Sequence, residues 1–135
     1  MRKQNLRIGD VVWVKLHKEG KHIQTGVRPA VVIQNNKGNR YSPTIQVVPL
    51  TSKKTKAKLP THVEIPANTA GLPKDSIAQC EGAKPVSKCD IYGFIGKMPR
   101  EFMEKISIAT IISTPLIQYI DRDNLNSIYD QVITA

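Results

Sequence analysis

The chain reads as mostly β with a helix near its C-terminal end, an α+β arrangement whose short strands make a small closed or semi-closed barrel. Three observations predict this. Short runs rich in Val and Ile recur at roughly 12–15-residue spacing, separated by clusters of Gly, Pro, Asn and Ser. No helical pattern falls between them, which argues against a βαβ fold. Helical periodicity begins only after Pro99. At 135 residues the length suits one domain, 1–135, with 118–135 read as a helical C-terminal extension. Aromatic residues are 5% against 40% hydrophobic content, so the core should be aliphatic.

The elements follow in order. "DVVWVKL" (10–16) is the first strand, with Val12, Val14 and Leu16 alternating against Val11, Trp13 and Lys15. The polar stretch 17–26 is a loop closed by Gly26. "PAVVIQN" (29–35) is continuously apolar at its centre, as in a strand covered on both faces. Pro29 should open it, since proline has no N–H for a central ladder. Residues 36–43 carry turn chemistry. "TIQVVPL" (44–50) is the third strand, 51–60 a basic loop, 61–65 a fourth strand and 66–74 a turn. A fifth strand falls at 75–81, and one or two more within 86–97. The helix at 99–113 starts on Pro99, read as its first residue. Phe102, Met103, Ile106, Ala109 and Thr110 share one of its faces, and Ile108, Ile111 and Ile112 add a second apolar stripe. A helix apolar on two sides meets a partner subunit as well as its own barrel. After Pro115, Leu125, Ile128 and Val132 space out a second, shorter helix.

The charge is lopsided: 20 Lys+Arg against 11 Asp+Glu, net +9. That balance favours an anionic partner, whether nucleic acid, acidic protein or membrane surface. Cys80 and Cys89 form no Cys-x-x-Cys pair, and the three histidines make no zinc-like cluster with them, so no metal and no cofactor is expected. The thiols read as reduced. The N-terminus has basic residues without an apolar stretch behind them, and no run approaches a membrane span. The expectation is a cytoplasmic protein.

"GVRPAVVIQN" (26–35) holds a permanently charged side chain at the mouth of an apolar strand. Pro29 restricts Arg28 to extended conformations, and Gly26 lets the chain turn into the strand. The guanidinium therefore starts from a defined place; the alternative is a surface salt bridge. Another strand end supplies Thr51 and Ser52, followed by Lys53, Lys54, Lys56 and Lys58. Hydroxyls beside cations suit a phosphate, and a polar turn with solvated lysines is the plainer reading. His22, in the loop before Arg28, can take and give a proton near neutral pH. Together these residues outline an anion-binding site at one rim of a barrel.

The G-x-R-P, N-R-x-S-P-T, "LTS" and "LPTHVEI" blocks stand in one order along residues 8–117. In that order the chain resembles the MazF/PemK/Kid toxin endoribonucleases, the mRNA interferases of toxin–antitoxin systems, most closely the Gram-positive MazF proteins. The resemblance implies an SH3-like barrel of the CcdB/PemK type with attached helices, and a homodimer. It implies metal-independent, sequence-specific cleavage of single-stranded RNA that leaves a 2′,3′-cyclic phosphate, or the 3′-phosphate it opens to, and a 5′-hydroxyl. It further implies a cognate antitoxin whose acidic, disordered tail covers the RNA groove, with DNA met only through the antitoxin complex. Arg28 and Thr51 match the family's catalytic arginine and threonine. Ser52 and Gln24 match expected RNA contacts, joined by Lys53, Lys54 and Lys56 from the basic loop. His22 is the first candidate for the general base and Glu81 the second, with a water or a phosphate oxygen as further options. His62, in "THVEI", faces either the RNA groove or its strand neighbours. Two departures stand out. Ile23 replaces the glutamate of the family's Glu-Gln pair, and Gln79 stands where Kid-type members carry arginine. The rival readings are a non-catalytic nucleic-acid-binding barrel and a gyrase-directed toxin of the same fold. The second lacks support here, because the only tryptophan is Trp13 and not part of a C-terminal Trp-Gly pair.

Overall fold

The computed structural model describes residues 5–17, 26–52 and 59–134. Seven strands form one antiparallel sheet: β1 (Asp10–Leu16), β2 (Gly26–Val32), β3 (Thr44–Ser52), β4 (His62–Ile65), β5 (Ser76–Gln79), β6 (Lys84–Ser87) and β7 (Ile91–Lys97). Three helices accompany them: α1 (Asn36–Tyr41), α2 (Arg100–Ser113) and α3 (Arg122–Thr134). The strand order is β4-β5-β3-β2-β1-β7, with β6 also paired to β3. Among the described residues no ladder joins β4 to β7, so the expected barrel is an open sheet.

β3 organises the sheet because its pairing changes along its length. Thr44–Val47 pair with β6, Val47–Pro49 with β2, and Leu50–Ser52 with β5. The pairing with β2 runs Val32↔Val47, Val31↔Val48, Ala30↔Pro49 and stops there. Pro29 and Pro49 lack the N–H groups that would carry it further. Pro29 is thus the fourth residue of β2 and not its first, as the sequence suggested. It is tolerated because the ladder to β3 ends beside it.

The central strands are covered on both faces. Val11, Val31, Val48 and Leu50 join α2 residues Ile106 and Ala109 in one buried cluster. Val12, Val14, Leu16, Ala30, Val32 and Val47 belong to the other. The two-residue alternation of each strand divides its side chains between the two clusters.

α1 occupies residues read from sequence as a turn. Asn35 caps it by accepting a hydrogen bond from the Gly38 N–H at 2.8 Å, the arrangement that favours asparagine before a helix. The buried Asn39 amide donates back to the Gln34 carbonyl at 2.8 Å. The turn-forming asparagines therefore hold a helix of six residues. α2 begins at Arg100, with Pro99 in extended backbone as its N-cap and not its first helical residue. Phe102 and Met103 pack on the first cluster beside Ile106 and Ala109, as the predicted inward face requires. The fifth predicted strand ends early, at Gln79, where Cys80–Gly82 form a 3-10 turn.

The turn between β4 and β5 is tightly wound. Asn68, Ala70 and Gly71 all have positive φ, at 67°, 54° and 78°. Leu72 accepts from the Asn68 N–H at 2.7 Å, and Asp75 accepts from the Ala67 N–H at 2.7 Å. A side chain on Gly71 would meet the Ile95 carbonyl oxygen of β7 at 2.6 Å, and one on Gly96 would meet the backbone of Ala70. Two glycines thus let the turn lie against β7, which fixes the residues that follow it.

Candidate active site

Beyond Ala30↔Pro49, β2 and β3 separate. Continued one step, their register sets Pro29 against Leu50; continued two, it sets Arg28 against Thr51. Residues opposite one another in an antiparallel pair project to the same face. A cleft of about 300 Å³ opens at this fork, lined by Arg28 and Pro29 from β2 and by Leu50, Thr51 and Ser52 from β3. Arg28 is exposed, and Thr51 and Ser52 are half-buried. Gly26, with φ of 85°, turns the chain into β2 just before the arginine.

The far wall comes from the wound turn and from β5, through Leu72, Pro73, Lys74 and Ser76. Ser76 is buried, and its hydroxyl donates to the Lys74 carbonyl at 3.0 Å, tying the wall to the strand. Trp13, 39% exposed on β1 and paired with Pro29, completes the cleft. Trp13 and Lys74 were not among the residues picked out by sequence. The available signal was the alternation of β1, which leaves Trp13 as an outward aromatic directly across from the G-x-R-P block. Tyr41, another exposed aromatic, lies on α1 before β3 begins, whereas Thr51 lies near the opposite end of that strand.

Among the remaining candidates, His22, Gln24, Lys53, Lys54 and Lys56 lie outside the described residues, as does Ile23. His62 and Glu81 come together, but neither lines the Arg28–Thr51 cleft. The His62 Nε2 lies 2.8 Å from a Glu81 carboxylate oxygen, and the Thr61 hydroxyl donates to the other oxygen at 3.1 Å. A carboxylate only accepts, so the imidazole carries its hydrogen on Nε2. Burial pushes the Glu81 carboxyl up, but hydrogen bonds led by that from His62 outweigh it and hold the group below its ordinary 4.5. The His62 side chain is 7% exposed and lines a separate cleft between β4 and α2. Cys80 is buried, and burial raises its thiol above 9.0 against the lowering effect of Thr110, with Glu81 adding to the rise. Cys89 is exposed.

An arginine fork, a hydroxyl and a lysine around a cleft beside an aromatic face suit a phosphodiester attached to a base. Fold and site together define a small antiparallel-sheet protein with a cleft suited to an anion. The chain belongs to the PemK-like, MazF-like toxins of type II toxin–antitoxin systems, whose family model matches residues 7–113. It is 41% identical over 111 residues to Endoribonuclease EndoA of Bacillus subtilis (strain 168), covering 82% of this chain and 96% of that protein. The fold is shared with an endoribonuclease solved in complex with its cognate antitoxin from a mycobacterial species, at TM-score 0.67 and 22% identity, over 82% of this chain and 96% of that one. It is shared also with MazF of Deinococcus radiodurans, at TM-score 0.68 and 20% identity, over 78% of this chain and 93% of that one. Among the described residues no helix is long and apolar enough to cross a membrane.

Proposed function

We propose that this chain is a sequence-specific endoribonuclease that cuts single-stranded RNA without a metal, using Arg28 and Thr51 as its catalytic pair. The observation that carries the reading is the fork: where the β2–β3 ladder ends, Arg28 of β2 and Thr51 of β3 line the walls of one cleft. The ribose 2′-oxygen forms a bond to the adjacent phosphorus while its proton passes to a base. The bond from phosphorus to the 5′-oxygen breaks, and that oxygen takes up a proton. The products are a 2′,3′-cyclic phosphate, or the 3′-phosphate formed when water opens it, and a 5′-hydroxyl.

Arg28 stabilises the extra negative charge of the five-coordinate phosphorus, because its planar fork holds two oxygens at once. Arg28 also donates a hydrogen bond to the leaving 5′-oxygen in this reading, and the acid form of the base returns the proton to that oxygen. Thr51 donates to a non-bridging oxygen. Ser52 and Lys74 hold flanking phosphates, and Trp13 offers a face on which a splayed base stacks. The base role falls to His22, in the chain just before β2. Glu81 of the same chain is engaged by His62 and Thr61 away from the cleft, which makes it the weaker candidate. Gln24, Lys53, Lys54 and Lys56, close in sequence to Arg28 and Thr51, are further RNA contacts in this reading.

The active unit is a homodimer, and its controlling partner is an antitoxin with an acidic, disordered tail, through which alone it meets DNA. Support for the antitoxin comes from the structural neighbour solved with its own and from the net charge of +9. The test is incubation of the purified protein with a long single-stranded RNA in EDTA, followed by sequencing of the ends. Cuts at one repeated short motif, with 5′-hydroxyl ends and no cutting of the matching DNA, are expected. A gel shift without cleavage would reduce the protein to a binder.

A further inference from the structure

A second cleft, of about 430 Å³, lies past the end of β2 that is remote from Arg28. An extended strand advances about 13 Å from Arg28 to Val32, so the two clefts are separate. Arg7, from the segment before β1, and Arg40, from α1, line it, with Asn36 and the buried Leu6. Hydrogen bonds fix the backbones that carry the two arginines. The Arg7 N–H donates to the Asp10 carboxylate at 2.8 Å. The Asn36 side-chain oxygen accepts from the Ile8 N–H at 2.8 Å, which ties the segment holding Arg7 to the helix holding Arg40. Lys88 donates from Nζ to the Arg40 carbonyl at 3.2 Å and so adds a third cation.

No carboxylate lines this cleft, and among the described residues neither guanidinium is in an ion pair. The neighbouring Asp10 is engaged by the Arg7 N–H and by Lys97 at 3.2 Å. Cations gathered without a counter-charge repel one another, and an anion between them removes that cost. The planar fork of arginine matches a phosphate. Tyr41 adds a second kind of contact: it is 70% exposed, and the Arg40 guanidinium lies 5.4 Å from its ring centroid. Cations interleaved with an open aromatic ring suit a single strand, whose phosphates meet the cations and whose bases stack on the ring. A free anion would make no use of the ring.

We propose that this cleft is a second contact for a nucleic-acid strand, in which Arg7 and Arg40 together hold one backbone phosphate and Tyr41 stacks a neighbouring base. The proposal rests on the RNA reading for the identity of the strand, and its test separates the two by measuring binding without cleavage. The probes are fluorescently labelled 2′-O-methyl oligouridylates of about 4 and about 16 nucleotides, the range of site sizes for single-strand binders. They lack the hydroxyl that attacks phosphorus. Arg7→Gln with Arg40→Gln in the full chain should weaken binding of the long probe at least tenfold and leave the short one unchanged. It should also lower the salt slope for the long probe by about 0.7, the share of one phosphate. Tyr41→Ala should weaken the long probe alone, without changing the slope. Arg100→Gln with Lys105→Gln, an equal loss of charge on α2, should leave both probes unchanged. Both double variants remove exposed side chains and should melt as the parent does. Unchanged binding of the long probe, or an equal loss in the α2 variant, would reduce Arg7 and Arg40 to solvated surface charge and overturn this proposal alone. Micromolar binding of inorganic phosphate to the parent, lost in the Arg7/Arg40 variant, would make the cleft a free-anion site and overturn the strand assignment. A parent chain that binds neither probe would overturn the RNA reading as well.

Discussion

Arg28 is placed by its neighbours' lack of hydrogen-bonding capacity. Two prolines end the ladder between β2 and β3, and Arg28, still paired with β1, and Thr51, still paired with β5, then line a cleft where a continued sheet would have paired the two strands with each other. Removing a preorganised donor to a developing negative charge typically costs about 10²–10³ in rate. Arg28→Ala should therefore lose at least that much in cleavage of a reporter RNA measured at saturating substrate. Arg28→Lys should not restore it, since an ammonium makes no bidentate contact. Arg28 and Thr51 were legible in the sequence because the Gly, Pro and Thr around them have local meaning. Trp13 and Lys74 were not, because only the folded register brings them to the same cleft. A second residue-scale expectation concerns Glu81, whose carboxyl is held below 4.5 in the folded chain. A lowered folded value means that the stabilisation is present above the unfolded value and lost as pH falls through the folded one. Urea titrations should show the advantage of the parent chain over Glu81→Gln as constant near neutral pH and shrinking below about pH 4.5.

At the scale of elements, α2 anchors the open sheet through a single face. α2 packs on β4 and the Cys80–Gly82 turn, and its Ile106 is 1% exposed in the core cluster. Ile106→Ala should cost about 2–5 kcal/mol in chemical denaturation, the range for a large aliphatic side chain removed from a core. The same packing protects Cys80. In the native protein a thiol reagent should react with Cys89 alone, and with both cysteines after unfolding, because burial keeps the Cys80 thiol protonated and out of reach. Most strands and α2 were legible from periodicity. α1 was not, because asparagine and glycine serve a turn and a helix cap equally well, and the contact of Asn39 with Gln34 settles which one forms. The wound turn at 67–72 was read as a turn, but its close approach to β7 depends on Gly96, 25 residues further on.

For the whole molecule, the net charge of +9 makes the proposed RNA cleavage sensitive to salt. Binding of a single strand weakens with salt by roughly 0.7 in log affinity per log salt for each phosphate neutralised. If Arg28, Lys74, Lys53, Lys54 and Lys56 each neutralise one phosphate, as proposed, raising salt from about 50 to 200 mM should raise KM by about a hundredfold while leaving kcat nearly unchanged. A salt-independent KM would remove the electrostatic part of the reading. Composition, apolar periodicity and four short blocks determined the family and the aliphatic core and singled out Arg28 and Thr51 as candidates, since each depends on residues close together in the chain. Tertiary structure alone decided that the sheet stays open, that the His62–Glu81 pair sits apart from the cleft, and that the tail helix stands uncovered. Those facts come from strand register and from which face a helix turns outward, and both are settled by packing between segments far apart in sequence.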